Sequence, residues 1–165
     1  MIAIERAGPG YLLTTRQHLA APLDAVFAFF SDAFNLEAIT PPWLKFRVLT
    51  PPPIRMQPGV RIDYRLRMRG LPLSWQSEIT AWEPPHRFVD EQRIGPYRRW
   101  RHEHTFDPSP GGVIATDRVE YSVPGGAFVH ALLVRRDVRT IFTYRRRVLA
   151  QRFGELPIPV EVRSD

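Results

Sequence analysis

Between Val60 and Arg69 the chain alternates one for one. Val60, Ile62, Tyr64, Leu66 and Met68 are apolar, and Arg61, Asp63, Arg65, Arg67 and Arg69 are charged. A period of two sends successive side chains to opposite faces of a strand, so one face of this segment is buried and the other wet. The same period continues beyond a tight turn at residues 70–72, where Leu73, Trp75, Ser77, Ile79 and Ala81 share one face of a long strand closed by Pro84 and Pro85. Residues 87–94, 98–106 and 113–123 read as three further strands. They are separated by Gly95-Pro96 and by the loop 108–112, and stopped by Pro124-Gly125-Gly126. Residues 11–19 and 46–49 add two more, and 51–59, with four prolines, is a stiff loop.

The period changes in two places. After Pro22, which suits a helix start, Ala25, Val26, Phe29 and Phe30 form an apolar helical stripe. A second short helix over 34–39 must end at Pro41 and Pro42, because proline cannot donate and restricts its predecessor. Beyond Gly126, Val134, Val138, Ile141, Phe142, Leu149 and Phe153 recur at the spacing of a helix of about twenty residues, with Gly154 as its stop. Residues 155–165 read as an extended tail.

Strands joined by short turns imply an antiparallel sheet, and the long amphipathic helix is the one large cover for its apolar face. The fold class is therefore α+β: a curved antiparallel sheet of about seven strands wrapped around a long C-terminal helix, with two short helices after the first strand. Residues 1–165 read as a single ligand-binding domain with its core at 11–153. A bent sheet closed by one helix leaves a cavity, and such cavities are mostly apolar with a few placed polar groups.

Composition narrows the partners. No apolar run reaches the ~18 residues of a membrane span, residues 1–10 lack a signal-type apolar core, and cysteine is absent. A cytoplasmic location without membrane insertion is the expectation. The formal charge is +6 and Lys45 is the only lysine, so nearly all the positive charge is arginine. Attraction to phosphate is one reading and a solvated surface the other; scatter over several elements favours the second. The face carrying Arg61, Arg65, Arg67 and Arg69 lacks the interleaved aromatics of a single-strand platform, so no nucleic acid is expected.

Candidate chemistry follows from the strand faces. Phe88, Asp90 and Gln92 share a face; so do Trp100, His102, His104 and Phe106, and so do Ala115, Asp117, Val119 and Tyr121. Each is the more apolar face of its strand and should point inward. Asp90, Gln92, His102, His104 and Asp117, joined by Tyr64, Trp75, Ser77 and Tyr121, should therefore surround the cavity. Four roles compete for them. Asp and His pairs can brace the sheet. They can fix the polar end of a ligand lying against Trp75, Trp100 and Phe106. A His beside a carboxylate can serve as general base, His102 or His104 with Asp90 or Asp117 orienting it and Gln92 and Tyr64 holding an oxygen. His102 and His104, two apart on a strand, can also ligate a metal; the cupin-like string around them is incomplete, so no metal is predicted. His18 and His86 read as surface or turn residues, and His130 as exposed or near a cap. Tyr144 and Arg145 could reach the cavity, but packing and surface is the commoner role at such positions.

Thr40-Pro41-Pro42-Trp43, Asp90-Glu91-Gln92, Gly95-Pro96-Tyr97, Trp100, His102-x-His104-x-Phe106, Asp117, Tyr121, Pro124 and Tyr144-Arg145 together resemble the SRPBCC superfamily. These are the START-like and birch-pollen-allergen-like helix-grip proteins, and the likeness is greatest to a bacterial polyketide cyclase/dehydrase-like subgroup. The resemblance spans 11–153 and implies a helix-grip fold that binds or carries a small hydrophobic or amphipathic molecule such as a lipid. The alternative it implies is a cofactor-free cyclase, dehydratase or isomerase acting on a polyketide-like or lipid-like substrate. Fold alone does not choose between them. Some relatives are fused to nucleotide-sugar epimerase-like domains. This chain has no G-x-G-x-x-G after a strand, so an epimerase-like domain would be a separate partner protein. A protein-interaction module using the proline-rich loop and the arginine face is the third class of reading.

Overall fold

A computed structural model describes residues 2–159. Among these, nine strands form one sheet: β1 Ile2–Ala7, β2 Gly10–Leu19, β3 Arg47–Val48, β4 Arg61–Met68, β5 Leu71–Glu83, β6 Arg87–Ile94, β7 Arg99–Ser109, β8 Gly112–Ser122 and β9 Glu155–Leu156. The order is β1-β2-β8-β7-β6-β5-β4-β3, all antiparallel, with β9 also pairing β2. Helix α1 (Leu23–Ser31) and two 3-10 turns, Ala33–Leu36 and Pro42–Leu44, carry the chain from β2 to the far edge. The C-terminal helical run is α2 (Gly126–Val129), a π-helical turn (His130–Val134) and α3 (Arg135–Phe153).

Helix α3 buries Val138, Phe142, Arg145 and Leu149, a stripe at steps of four, three and four. Leu149 packs with Leu19, Phe106 and Val113, and Val138 and Phe142 pack with Leu13, Val119 and Tyr121. The helix thus lies against β1 and β2 and shares its core with residues of β7 and β8. On the wet face, Arg61 and Arg93 share Glu78 across strands, Arg87 reaches Glu103 and Arg99 meets Glu120 across strands, and Arg101 meets Glu103 along β7, so part of the arginine content is paired on the sheet surface.

Several expectations change. Strand β1 lies where none was expected; Ile2 and Ile4 alternate with polar or small residues, and the stretch pairs β2 along its whole length. The tail begins as strand β9, pairing His18 and Leu19. That pairing buries His18, whose Nδ1–H donates to the Pro157 carbonyl at 2.8 Å, so it is not a surface residue. His130 is buried too: it stacks on Tyr11 at 3.3 Å and hydrogen-bonds the Tyr121 hydroxyl at 2.9 Å. Burial and then Tyr11 push the Tyr121 phenol up to about 12, so it keeps its proton. The helix expected over 34–39 is reduced to a 3-10 turn. A register shift between Ile79 and Ala81 turns β5 over, so Trp82 rather than Ala81 packs against Phe27 and Phe88.

Gly112 opens β8 where a β-carbon would overlap the Leu19 carbonyl. Gly112→Ala is expected to cost about 1–3 kcal/mol by forcing the β2–β8 seam apart, read from urea denaturation. An unchanged midpoint would show that the seam yields freely.

Candidate functional site

Between α3 and β4–β7 the sheet face is not covered directly, and a cavity of about 170 Å³ remains. Its walls are largely apolar: Phe30, Ile39, Leu44, Ile62, Leu66, Ile79 and Phe142. Trp75, Tyr97 and Trp100 form an aromatic corner, with the two indoles 5.4 Å apart edge to face and Tyr97 4.6 Å from Trp100. Its polar lining groups include Tyr64 and Arg145 and a linked set in which Ser77 and His104 hydrogen-bond Asp90 and His102 lies beside it.

Strand register assembles that set. Asp90 stands opposite His102 and Phe88 opposite His104; on the next strand His104 stands opposite Asp117. The two-residue period of β7 puts both imidazoles on the inner face, with ring centroids 3.8 Å apart. His102 Nε2 hydrogen-bonds Asp117 Oδ1 at 3.0 Å, and His104 Nε2 hydrogen-bonds Asp90 Oδ2 at 3.3 Å. Their other nitrogens face the opposite carboxylates: His102 Nδ1 is 3.9 Å from Asp90 Oδ2 and His104 Nδ1 is 2.9 Å from Asp117 Oδ1. The second approach is too oblique for a hydrogen bond, so buried His104 Nδ1 has no partner among the described residues. Ser77 Oγ donates to Asp90 Oδ1 at 3.3 Å and accepts from Trp75 Nε1 at 3.0 Å. Arg145 brings Nη2 to 3.6 Å from Asp117 Oδ1 while its guanidinium lies over Phe30.

Burial alone would raise Asp117, but Arg145, the hydrogen bond from His102 and the close approach of His104 hold it well below the usual carboxylate range. Asp90 is lowered against the same burial by His104 and His102. Burial, and then His104, push His102 down to about 4 despite both carboxylates. Burial, then Asp90 and Asp63, raise the Tyr64 phenol, so it stays protonated. The polar set therefore offers carboxylate oxygens and an imidazole lone pair as acceptors. One oxygen of Asp90 and one nitrogen each of His102 and His104 lie within 4.8 Å of one another, a set able to hold a metal ion.

Residues 19–144 match the model of the polyketide cyclase/dehydrase and lipid transport family. This chain belongs to that family. No curated protein matches the sequence. Protein Ms6760 from Mycobacterium smegmatis has a similar structure, with TM-score 0.67 at 20% identity over 92% of this chain and 96% of that one. A protein from Arthrobacter aurescens gives TM-score 0.69 at 13% identity, over 99% and 97%. Ara h 8.0201 gives 0.61 at 13%, over 85% and 97%. At such identities the likeness concerns the fold, which is the helix-grip arrangement of sheet and C-terminal helix. Among the described residues no helix is long and apolar enough to cross a membrane.

Within this family member the inward-facing residues separate into three groups. Tyr64, Trp75, Ser77, Asp90, Trp100, His102 and His104 line the cavity. Asp117 lies behind the imidazoles and touches both. Gln92, Phe106 and Tyr121 serve elsewhere. Gln92 Nε2 donates to the Tyr97 carbonyl at 2.7 Å and its Oε1 accepts from the Tyr97 N–H, clamping the β6–β7 turn. Phe106 packs among Phe27, Phe30 and Phe88, and Tyr121 serves His130. Arg145, read from sequence as packing and surface, is buried in the site. Its signal was position: three residues after Phe142 and four before Leu149, it is an arginine on the apolar stripe.

Proposed function

We propose that this protein binds or carries a small amphipathic molecule with an apolar ring or short chain and a hydroxyl at one end. The observation that carries the reading is the cavity's asymmetry. Apolar and aromatic side chains line most of a space of about 170 Å³, and among its polar groups Ser77, His102 and His104 cluster at Asp90. A cavity of ~150 Å³ is enough to take up benzene. An apolar pocket with few polar groups orients its occupant through them, and a hydroxyl donating to a charged acceptor gains about 1.5–3 kcal/mol.

The first measurement is native mass spectrometry of purified protein, with denaturing extraction of anything released. The second uses p-cresol and toluene as probes, followed by the indole N–H resonances of Trp75 and Trp100. p-Cresol is expected to bind at least ~10-fold more tightly than toluene, because its hydroxyl adds a charge-assisted hydrogen bond. Equal affinity would remove the oriented-hydroxyl reading. No perturbation by either probe, with no molecule extracted, would remove the cavity reading.

The runner-up is acid–base cyclisation, dehydration or isomerisation on the same ligand. It is favoured by His102 and His104 both reaching the cavity beside Asp90. Incubating the extracted molecule with the protein separates the two readings. Carriage returns it unchanged, whereas catalysis yields an isomer or a product lacking water, and His102→Gln abolishes that product.

A further inference from the structure

The hydrogen bonds around the two imidazoles do not close. Four ring nitrogens face four carboxylate approaches, yet two neutral histidines carry two N–H groups between them. The mismatch is concentrated at His104. Its Nε2 bonds Asp90 at 3.3 Å, while its Nδ1, 2.9 Å from Asp117, is buried without a hydrogen bond among the described residues.

The nitrogens sort by direction. The inner pair, His102 Nδ1 and His104 Nε2, faces Asp90 Oδ2 at 3.9 and 3.3 Å. The outer pair, His102 Nε2 and His104 Nδ1, faces the one oxygen Asp117 Oδ1 at 3.0 and 2.9 Å. A histidine bound to a metal through one nitrogen hands its other N–H to a carboxylate, which fixes tautomer and ring orientation. Here one carboxylate stands in that position for both rings. Ligands about 2.1 Å from a shared ion stand ~3–3.5 Å apart; here the two nitrogens are 3.3 and 3.9 Å from Asp90 Oδ2 and one donor atom from each of the three residues lies within 4.8 Å of the others, so closing on an ion takes only small side-chain shifts.

We propose that Asp90, His102 and His104 bind one divalent first-row transition-metal ion, with Asp117 as the carboxylate that orients both imidazoles. This goes beyond the ligand-binding reading and does not depend on it. With the ion in place the inner nitrogens of two neutral rings hold it and both outer N–H groups face Asp117, His102 Nε2 in its present hydrogen bond and His104 Nδ1 at 2.9 Å, where a small rotation of the ring completes one. Arg145 already compensates Asp117, leaving the charge of Asp90 for the ion. A two-nitrogen, one-oxygen set without thiolate suits Zn²⁺ or Fe²⁺ and not Ca²⁺ or Mg²⁺, which prefer oxygen ligands throughout. All three ligands line the cavity.

The test uses tag-free, chelator-stripped full-length protein and Zn²⁺ as the probe. Native mass spectrometry is expected to show one Zn²⁺ per chain surviving desalting, lost in His102→Ala and Asp90→Asn. Asp117→Asn is expected to keep the stoichiometry with affinity lowered about 10–100-fold. Should the variants fail to fold, long-range ¹H–¹⁵N spectra of the wild-type imidazoles decide. Zn²⁺ should shift His102 Nδ1 and His104 Nε2 while their outer nitrogens stay protonated. No retained Zn²⁺, retention undiminished in folded variants, or shifts confined to His18, His86 or His130 would overturn the site.

Discussion

Asp117→Ala should destabilise the protein by about 3–5 kcal/mol, the range for removing one member of a buried ion pair. Asp117 and Arg145 are both buried, and the carboxylate also faces His102 and His104. Truncation leaves the guanidinium without its compensating charge and His102 Nε2 without its acceptor. Most of the loss is the cost of that stranded charge rather than the strength of any one contact. Arg145→Met should therefore recover part of it: in urea denaturation the double variant should be more stable than the sum of the single effects, with a coupling of about 1–3 kcal/mol. Additive losses would mean that Asp117 and Arg145 do not share a charge pair.

Phe106→Ala is the second large effect, at about 3–5 kcal/mol. Phe106 is 1% exposed, with Phe27, Phe30 and Phe88 around it at 5.0–6.1 Å between ring centroids. It sits beyond the cavity, under α1, so its loss opens a new void in packed core. Trp100 is different: it is only partly buried and faces a space that already exists. Trp100→Ala should cost less stability and weaken p-cresol binding. If Phe106→Ala left stability nearly intact and impaired binding instead, the ring would belong to the cavity wall.

Much of the site was legible along the chain because strand alternation is a local property. The alternation from Val60 to Arg69 announced which side of β4 is wet, and His102-x-His104 placed both imidazoles on one face. The failures come from non-local events. Nothing in the local period announced the irregularity after Ile79 that brings Trp82 inward. Gln92 shares a strand face with Asp90, but the β6–β7 pairing ends at Glu91 and Arg101, so its side chain meets the turn instead. His18 and His130 are buried by segments far along the chain, Pro157 in one case and Tyr11 in the other. Arg145 was visible as a charge on an apolar stripe, but what it would meet there was not.

By itself the sequence determined most of the elements, the face of most strand residues and the fold class, since backbone sterics and burial periodicity act over a few residues. Only the tertiary structure decided which inward residues border empty space and which are packed. It alone also decided that Asp117 stands behind both imidazoles with Arg145 brought against it. Those outcomes depend on strand register and on where α3 crosses the sheet, and distances of a few ångström there separate a lining residue from a core residue.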